Sequence, residues 1–345
     1  MEPVAVAVDA MGGDHAPAVV VQGVMDFLDN SGDTLVHLVG KRREIRREIR
    51  RLNAADRMSG LRVVNARDDI SMREQLLSYW RKRESTSIQK ALDLVRQGKA
   101  AAMFSAGNTG AVMALAKTNL GMIEGIDRPA LATLIPTATG RTLIMDVGAN
   151  VDSRPRHLVE FALMGKVYMQ SVLGVENPRI ALMSIGEEEG KGNELIKRTH
   201  AILKSMDINF VGNIEGRDAY LGKSDLIVTD GFTGNVTIKV AEGVVDVVMS
   251  MLKREIRTSL QSRLGLFLLK RSLKRLRRRL DYAETGGALL LGIRGVVVIG
   301  HGHSNAKAVN RAIELSVRMV RERVQERMAA EMRRMRSFLE ELSYA

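Results

Sequence analysis

The sequence contains no cysteine among its 345 residues. This absence excludes disulfides, zinc–thiolate centres and thiol nucleophiles together. Any acyl or phosphoryl transfer by this chain must therefore proceed without a cysteinyl intermediate.

Long hydrophobic runs are also missing. The apolar start is only five residues long, Val4 to Val8, lacks a basic leader and ends in Asp9. The longest later run, "ALLLGIRGVVVIG", is interrupted by Arg294 and by glycines, and it is well short of the roughly 20 apolar residues that a spanning helix needs. We therefore expect no signal peptide, no transmembrane helix and a cytoplasmic protein.

The positive charge is unevenly distributed. Composition is ordinary for an ordered globular chain, with 45% apolar and 27% charged residues, and the formal net charge is +12. Between Lys253 and Leu280 there are eleven basic residues and one acidic residue. Because a general nucleic-acid binder would spread its basic residues over a face of the fold, nucleic acid is not expected as a partner.

Strand and helix patterns alternate along the chain. Short apolar runs such as "TLVHLVG", "RTLIMDV", "RIALMSI" and "GVVVIG" are separated by stretches with helical spacing. This alternation predicts a Rossmann-like α/β/α sandwich with a mainly parallel sheet. No linker or repeat marks a boundary, so we predict one large domain over residues 1–345, with a basic amphipathic helical insertion at about 253–281 and a C-terminal helical segment at about 306–342.

Six apolar runs end in a polar, glycine-containing tip that leads into a helix: "VDAMGGDHAP", "FSAGNTGAV", "MDVGANVDS", "SIGEEEGKGNEL", "VTDGFTGNV" and "IGHGHSNA". Helix N-termini at such tips present unpaired N–H groups to an anion. Since the carboxyl ends of parallel strands share one edge, we expect the tips to line one anion-binding crevice. A single tip can be merely a tight turn. The predicted phosphate- or substrate-binding residues are Asp9, Gly12, Gly13, Asp14, His15, Ser105, Gly107, Asn108, Thr109, Gly110, Asp146, Asn150 and Asn193.

Two nucleotide-binding motifs are absent. The segment "GEEEGKGNEL" has three residues between its first two glycines instead of the four of a P-loop, and Gly192 stands where Ser or Thr should follow the lysine. No tip matches the dinucleotide pattern G-x-G-x-x-G. Lys191 could pair with a single phosphate, or it could be a solvated lysine beside three glutamates, and the sequence leaves both interpretations open.

Aspartates end several of the predicted strands, at Asp9, Asp14, Asp146 and Asp230. They would suit a divalent metal, but they suit the capping of loop N–H groups equally well. Without a tight acidic cluster in the sequence we favour capping, and we expect no metal and no cofactor. A G-x-S-x-G nucleophile elbow is also absent.

The motifs resemble a known family. "VAVDAMGGDHAP", "SAGNTGAVMALA", "RPALATLIPT", "MDVGANVDSRPRHLVEFALMGKVYM", "SIGEEEGKGNELIKRTH", "VTDGFTGNVTIK" and "HGHSNAKAVNRAI" look like the bacterial phosphate acyltransferases of phospholipid synthesis, the PlsX type. The similarity runs from Val4 to about Ile313. Two mild departures are Leu289, where the family usually has proline, and "FTGN" in place of "FVGN".

The resemblance implies transfer of a long-chain fatty acyl group from acyl carrier protein to inorganic phosphate, giving acyl phosphate for a membrane-bound glycerol-phosphate acyltransferase. It also implies a fold like that of isocitrate and isopropylmalate dehydrogenases, and a homodimer. Two alternatives stay open. A short-chain phosphotransacylase using coenzyme A would need no carrier protein, and a non-enzymatic basic binding protein would need no crevice.

The chemistry that the resemblance implies makes few demands on the protein. Phosphate is an anion at neutral pH and a thioester expels a thiolate readily, so neither a cysteine nor a strong general base is required. Holding phosphate against the thioester is worth up to roughly 7–11 kcal/mol. Donors aimed at the oxyanion add about 3 kcal/mol. The residues we expect to be catalytic are Lys191, Asp230, Asn235 and His301.

The basic segment "SRLGLFLLKRSLKRLRRRLDY" has leucines at alternating steps of three and four, which predicts an amphipathic helix. Such a helix can pack on the core or on a dimer partner. Its surplus charge suits acidic acyl carrier protein or an anionic membrane, and the adjacent Phe267 and Leu268 favour the membrane. We therefore predict peripheral association with the inner face of the cell membrane. The predicted membrane-binding residues are Leu266, Phe267, Leu268, Lys270, Arg271, Lys274 and Arg275.

Overall fold

A computed structural model describes residues 3–54, 58–72, 74, 83–256, 265, 269–273, 275 and 285–341. Its strands all belong to one sheet of 11 strands. In chain order they are β1 (Val4–Asp9), β2 (Thr34–Gly40), β3 (Leu61–Asn65), β4 (Ala102–Ser105), β5 (Ala130–Pro136), β6 (Arg141–Met145), β7 (Ile180–Met183), β8 (Phe210–Ile214), β9 (Leu226–Val228), β10 (Ala288–Leu291) and β11 (Val296–Ile299).

The sheet reverses direction in its middle. The order across it is β3-β2-β1-β4-β11-β10-β5-β6-β9-β7-β8. Most neighbours run parallel, which confirms the predicted mainly parallel sheet, but β11–β10, β10–β5 and β5–β6 are antiparallel. Strands β6, β9, β7 and β8 therefore point opposite to β1, β4 and β11. The expectation that all six tips emerge at one edge is wrong, because the carboxyl ends of the two halves lie at opposite edges.

Helices follow most strands. They are α1 (Ala18–Leu28), α2 (Arg42–Arg51), α3 (Ser87–Arg96), α4 (Thr109–Leu120), α5 (Pro155–Leu173), α6 (Glu194–Ser205), α7 (Gly231–Ile256), α8 (Ala306–Arg321), α9 (Val324–Arg334) and α10 (Arg336–Glu341).

Helices cover both faces of the sheet, as predicted for an α/β/α sandwich. Because successive side chains of a strand point to opposite faces, Val6 and Val8 of β1 pack with α1, α5 and α8, whereas Ala7 packs with α3 and α4 on the second face. On that second face, Ile144 of β6 packs in a separate cluster beside Ile238 of α7. Helices α4 and α7 thus cover neighbouring halves of the same face.

Helix α7 is 26 residues long and mostly exposed. An exposed apolar row runs along it, which we call the α7 stripe: Val236, Val240, Val244, Val247 and Met251, each 46 to 63% exposed. The predicted basic insertion begins in the last turn of this helix, and described residues 265, 269–273 and 275 also have helical backbone. Within the described ranges, no helix combines the length and apolarity needed to cross a membrane.

Candidate active site

A buried carboxylate ties the end of β1 to the end of β4. Asp9 is fully buried, and its two oxygens accept hydrogen bonds from Ser105 Oγ at 2.7 Å and from the Met11 N–H at 3.0 Å. The Gly107 N–H in turn donates to Ser105 Oγ at 3.1 Å. Burial raises the pKa of Asp9, and these hydrogen bonds oppose that effect. A Cβ on Gly12 would lie 2.6 Å from Gly107 N, so the two glycine tips pack backbone to backbone.

The tip of β11 joins the same wall. The Asp14 N–H donates to the Gly302 carbonyl oxygen at 2.9 Å, and the Asp14 carboxylate lies 2.7 Å from His303 Nδ1. The His303 N–H donates weakly to His301 Nδ1, at 3.4 Å. Both side chains of the Asp14–His303 pair are exposed, as is His15, so solvent screens the pair. The tips of β1, β4 and β11 therefore form one continuous surface at one edge of the sheet.

The side chain of Asn108 is used within the protein. Its Oδ1 accepts from the Ala111 N–H at 3.0 Å and caps α4, while its Nδ2 donates to the carbonyl oxygens of Met72 and Glu74 at 3.1 and 3.2 Å. This single amide holds Ser71, Met72 and Glu74 beside the start of α4. Removal of the Asn108 side chain would therefore delete a helix cap and should lower stability.

The backbone of the first turn of α4 is available instead. The N–H groups of Thr109 and Gly110 have no acceptor among the described residues, and both residues are exposed. Unpaired N–H groups in the first turn of a helix are suited to an anion.

A second group of tips lies where β6, β9 and β7 end. Asp146 is fully buried and accepts five hydrogen bonds of 2.7 to 3.1 Å, all from N–H groups. Burial raises the pKa of Asp146, and the five donors counteract that effect by stabilising the charged form. Asn150 supplies two of the donors and also donates from Nδ2 to the Pro129 carbonyl oxygen at 2.7 Å. Asp146 thus caps its own loop, as the sequence favoured.

Asp230 has the same kind of role at the start of α7. Its carboxylate accepts from the N–H and the hydroxyl of Thr233, each at 2.8 Å. The Gly231 N–H donates to the Asn150 carbonyl oxygen at 2.8 Å, so the first turn of α7 packs directly on the Asp146 loop. Asn235, one turn after Gly231, lies beside that loop at Gly148.

Lys191 lies on the tip of β7, next to β9. Of the three glutamates before it, Glu187 pairs with Lys223 and Glu189 pairs with Lys204. No carboxylate in the described ranges lies within ion-pair distance of the exposed Lys191 ammonium. The glutamates therefore do not neutralise Lys191, which leaves this cation available to an anion. Asn193 caps α6 by accepting the Ile196 N–H at 3.0 Å.

Helix α7 brings the two groups of tips together. It starts at Gly231, next to Asp230 at one edge, and two turns later its Lys239 is close enough to act electrostatically on His301 at the other edge. Burial, then the Lys239 ammonium, lower the pKa of His301, which favours a neutral imidazole near pH 7. Val147, after β6, contacts the core clusters on both sides of the boundary between α4 and α7. An open depression on α7 is lined by Asn235, Val236, Lys239 and Val240.

The structure therefore divides most of the predicted site residues between two groups of strand tips at opposite edges of the sheet, and α7 runs from the second group towards the first. Lys239 was not predicted as a site residue from the sequence, although it ends the motif "VTDGFTGNVTIK". The buried hydroxyls of Ser184 and Thr229, at the ends of β7 and β9, also went unnoticed, and neither has a hydrogen-bond partner among the described residues. Within those residues, no group of three or more His, Asp or Glu side chains is arranged to hold a metal ion.

Known proteins match this chain over nearly its full length. The family model described as "Fatty acid synthesis protein" matches residues 4–327. A phosphate acyltransferase of Carboxydothermus hydrogenoformans is 48% identical over 313 residues, which cover 91% of this chain and 94% of that protein. The chain belongs to the phosphate acyltransferase family. A second relative in this family, from Geobacter sulfurreducens, is 46% identical over 95% of this chain and 94% of its own length.

Family membership confirms the resemblance drawn from the motifs and the assignment to a family of enzymes. Among solved structures, a phosphotransacetylase from Streptococcus pyogenes has a TM-score of 0.63 at 16% identity, covering 93% of this chain and 94% of its own. A branched-chain phosphotransacylase from Enterococcus faecalis has a TM-score of 0.57 at 16% identity, covering 92% and 99%. At this identity, the likeness shows the fold alone.

Replacing Asp146 by asparagine should strongly destabilise the folded state of this protein. All five partners of the carboxylate are N–H donors, so an amide nitrogen would face a donor and leave buried groups unpaired. We expect a loss of about 2–3 kcal/mol in the free energy of unfolding, measured by urea denaturation. Exposed Asp152 on the same loop is the control, and Asp152→Asn should change stability by less than about 0.5 kcal/mol. Equal effects of the two substitutions would contradict the capping role.

Proposed function

We propose that the chain transfers a long-chain fatty acyl group from acyl carrier protein to inorganic phosphate, producing acyl phosphate for phospholipid synthesis. The observation that carries this proposal is that unpaired N–H groups at the start of α4 and the Lys191 ammonium, which no described carboxylate neutralises, lie on strand tips that we propose form one crevice, in a member of the phosphate acyltransferase family. Such a crevice suits two anions, the attacking phosphate and the oxyanion that forms on the thioester carbonyl.

The reaction needs positioning more than proton transfer. A phosphate oxygen attacks the thioester carbonyl carbon, the C–O bond forms, the C–S bond breaks, and the carrier thiolate leaves and takes up a proton. The N–H groups of Thr109 and Gly110 and the Lys191 ammonium are the donors we assign to phosphate or oxyanion. Positioning phosphate against the thioester lowers the barrier by up to roughly 7–11 kcal/mol, which makes it the largest expected contribution.

The remaining candidate residues receive narrower roles. Both oxygens of Asp230 are used by Thr233, so Asp230 is assigned to positioning α7 and not to proton transfer. Asn235, one turn after the start of α7, is assigned to orienting the substrate with its amide. Because His301 has a lowered pKa, which favours a neutral imidazole at pH 7, we assign this side chain to orienting the substrate.

The proposed function and its alternative differ in the acyl donor, which is acyl carrier protein in the first and coenzyme A in the second. A phosphotransacylase that uses coenzyme A fits the same fold, and both solved structures named above are phosphotransacylases. The relatives that are 46 to 48% identical are named phosphate acyltransferases, which favours the first function.

The purified protein should consume long-chain acyl carrier protein only when phosphate is present. We expect an acyl phosphate product that hydroxylamine converts to a hydroxamate, detected by mass spectrometry, and little product from acetyl-coenzyme A. Loss of thioester at the same rate without phosphate would instead indicate a thioesterase. Faster turnover of acetyl-coenzyme A would favour the alternative function.

Lys191→Ala should lower kcat/KM for phosphate at least about tenfold, because it removes a cation that no described carboxylate neutralises. The melting temperature should stay nearly unchanged, since Lys191 is exposed on a loop. Lys197→Ala, one turn into α6 and also exposed, is the matched control and should retain wild-type kinetics. Wild-type kinetics in Lys191→Ala would remove this residue from the site.

We propose a homodimer in which the α7 stripe contacts a second copy. Five large apolar side chains exposed along one helical face are typical of a surface that associates with another protein, and a two-fold axis would pair the stripe with itself.

Val244→Glu, in the middle of the α7 stripe, should convert dimer to monomer in sedimentation equilibrium, because a charge would be buried without a partner. Exposed Glu255 lies beyond the end of the stripe, and Glu255→Gln is the control that should leave the dimer intact. A dimer unaffected by Val244→Glu would assign the interface to another surface.

We further propose peripheral membrane association through the basic insertion, at the surface where a membrane-bound acyltransferase would receive acyl phosphate. Lys270, Arg271 and Arg275 are exposed on helical backbone, as is Leu269 at 56% exposure, whereas predicted residues Leu266, Phe267, Leu268 and Lys274 lie outside the described residues. Sedimentation with anionic vesicles, weakened by added salt, is the measurement that tests this association.

A further inference from the structure

Helix α2 forms a second basic surface that the candidate site does not use. Residues 41–51, the helix with its N-cap, contain seven basic and two acidic residues. Ile45, Ile49 and Glu48 are buried, which directs six arginines to solvent. Glu48 pairs with Arg47 and Arg51. The remaining four arginines of α2 have no carboxylate partner among the described residues. They are Arg42, Arg43, Arg46 and Arg50.

Two features of this arrangement are unfavourable for an isolated helix, although Glu44 in the first turn and Arg50 and Arg51 in the last turn suit the helix dipole. Like charges three and four residues apart repel each other, as Arg43 and Arg46 do, and Arg46 and Arg50. Arg42 and Arg43 lie in the first turn, where the helix dipole disfavours cations, and the Lys41 side chain makes no capping hydrogen bond. An anionic surface bound to this face would relieve both effects.

Helix α2 begins at the rim of the crevice. Strands β1 and β2 are neighbours, and Met11 on the β1 tip packs over Gly40, the last residue of β2. The Lys41 ammonium lies 2.5 Å from the Asp69 carboxylate, which in turn acts electrostatically on Asp9. The start of α2, at Lys41, therefore adjoins the wall formed by the tips of β1 and β4, and the exposed arginines extend from there along the helix.

We propose that the exposed face of α2 is the docking surface for the acidic carrier protein that delivers the acyl thioester. This inference rests on the proposed function and adds to it the place where the carrier binds. A membrane suits this face less well, because its apolar side chains, Ile45 and Ile49, point into the core and leave nothing to insert into lipid. An acidic protein surface supplies the missing negative charge at the rim where its thioester must enter.

The test compares two donors and two triple variants. Arg43→Glu/Arg46→Glu/Arg50→Glu reverses the centre of the α2 face. Arg318→Glu/Arg323→Glu/Arg333→Glu is the matched control, with three exposed arginines on or between the C-terminal helices. Each protein is assayed with palmitoyl carrier protein and with palmitoyl pantetheine, a thioester that has no carrier, and folding is checked by thermal denaturation.

The α2 variant should raise KM for palmitoyl carrier protein at least about tenfold at low salt, with kcat within about twofold of wild type. Turnover of palmitoyl pantetheine should be unchanged, and the salt dependence of KM for the carrier substrate should decrease. The control variant should behave as wild type with both donors.

Four other outcomes overturn a claim, and they separate the two proposals. A wild-type KM for palmitoyl carrier protein in the α2 variant, or equal losses of turnover with both donors, would overturn docking at α2 and leave the proposed function standing. If the α2 variant keeps its KM for palmitoyl carrier protein but no longer sediments with anionic vesicles, the α2 face would be assigned to membrane binding. If the wild-type protein forms no acyl phosphate from either donor, the proposed function itself fails.

Discussion

The reversal of strand direction in the middle of the sheet is the constraint on which the candidate site depends. Antiparallel β10 and β5 separate two parallel halves, so the tips of β1, β4 and β11 open on one edge and those of β6, β9 and β7 on the other. A crevice that uses both sets needs an element running between the edges. Helix α7 does this, from the Asp146 loop to the neighbourhood of His301.

Polar side chains on the tips are used mainly to fix the backbone. Asp146 and Asp230 accept N–H groups of their own loops, and Asn108 and Asn193 cap helices. The groups that we assign to a ligand are the N–H groups of Thr109 and Gly110, the Lys191 ammonium, the Asn235 amide and the His301 imidazole. This division of roles suits chemistry in which two anions are held in place, because rigid donors need no reorganisation when charge develops.

The sequence predicted the tips well and their mutual arrangement poorly. Strands such as β6 and β7 end in a glycine tip before a helix, and that local signal is readable from residue order. Strands β5 and β10 went unrecognised because short turns, at residues 137–140 and 292–295, join them to the next strand without an intervening helix. Those two strands reverse the sheet. Capping by Asp146 could be predicted from its position, whereas the contact of Asn108 with Met72 depends on tertiary packing.

Helix α7 carries one wall of the proposed crevice and an exposed apolar row within the same few turns. Asn235 and Lys239 line the depression, and Val236 and Val240 lie between and beside them. A partner that binds to the α7 stripe would therefore also restrict the movement of Asn235 and Lys239. If a second copy covers it, dilution would loosen the crevice as it separates the copies. Specific activity would then fall at low protein concentration, because the fraction of active enzyme would depend on the extent of dimerisation.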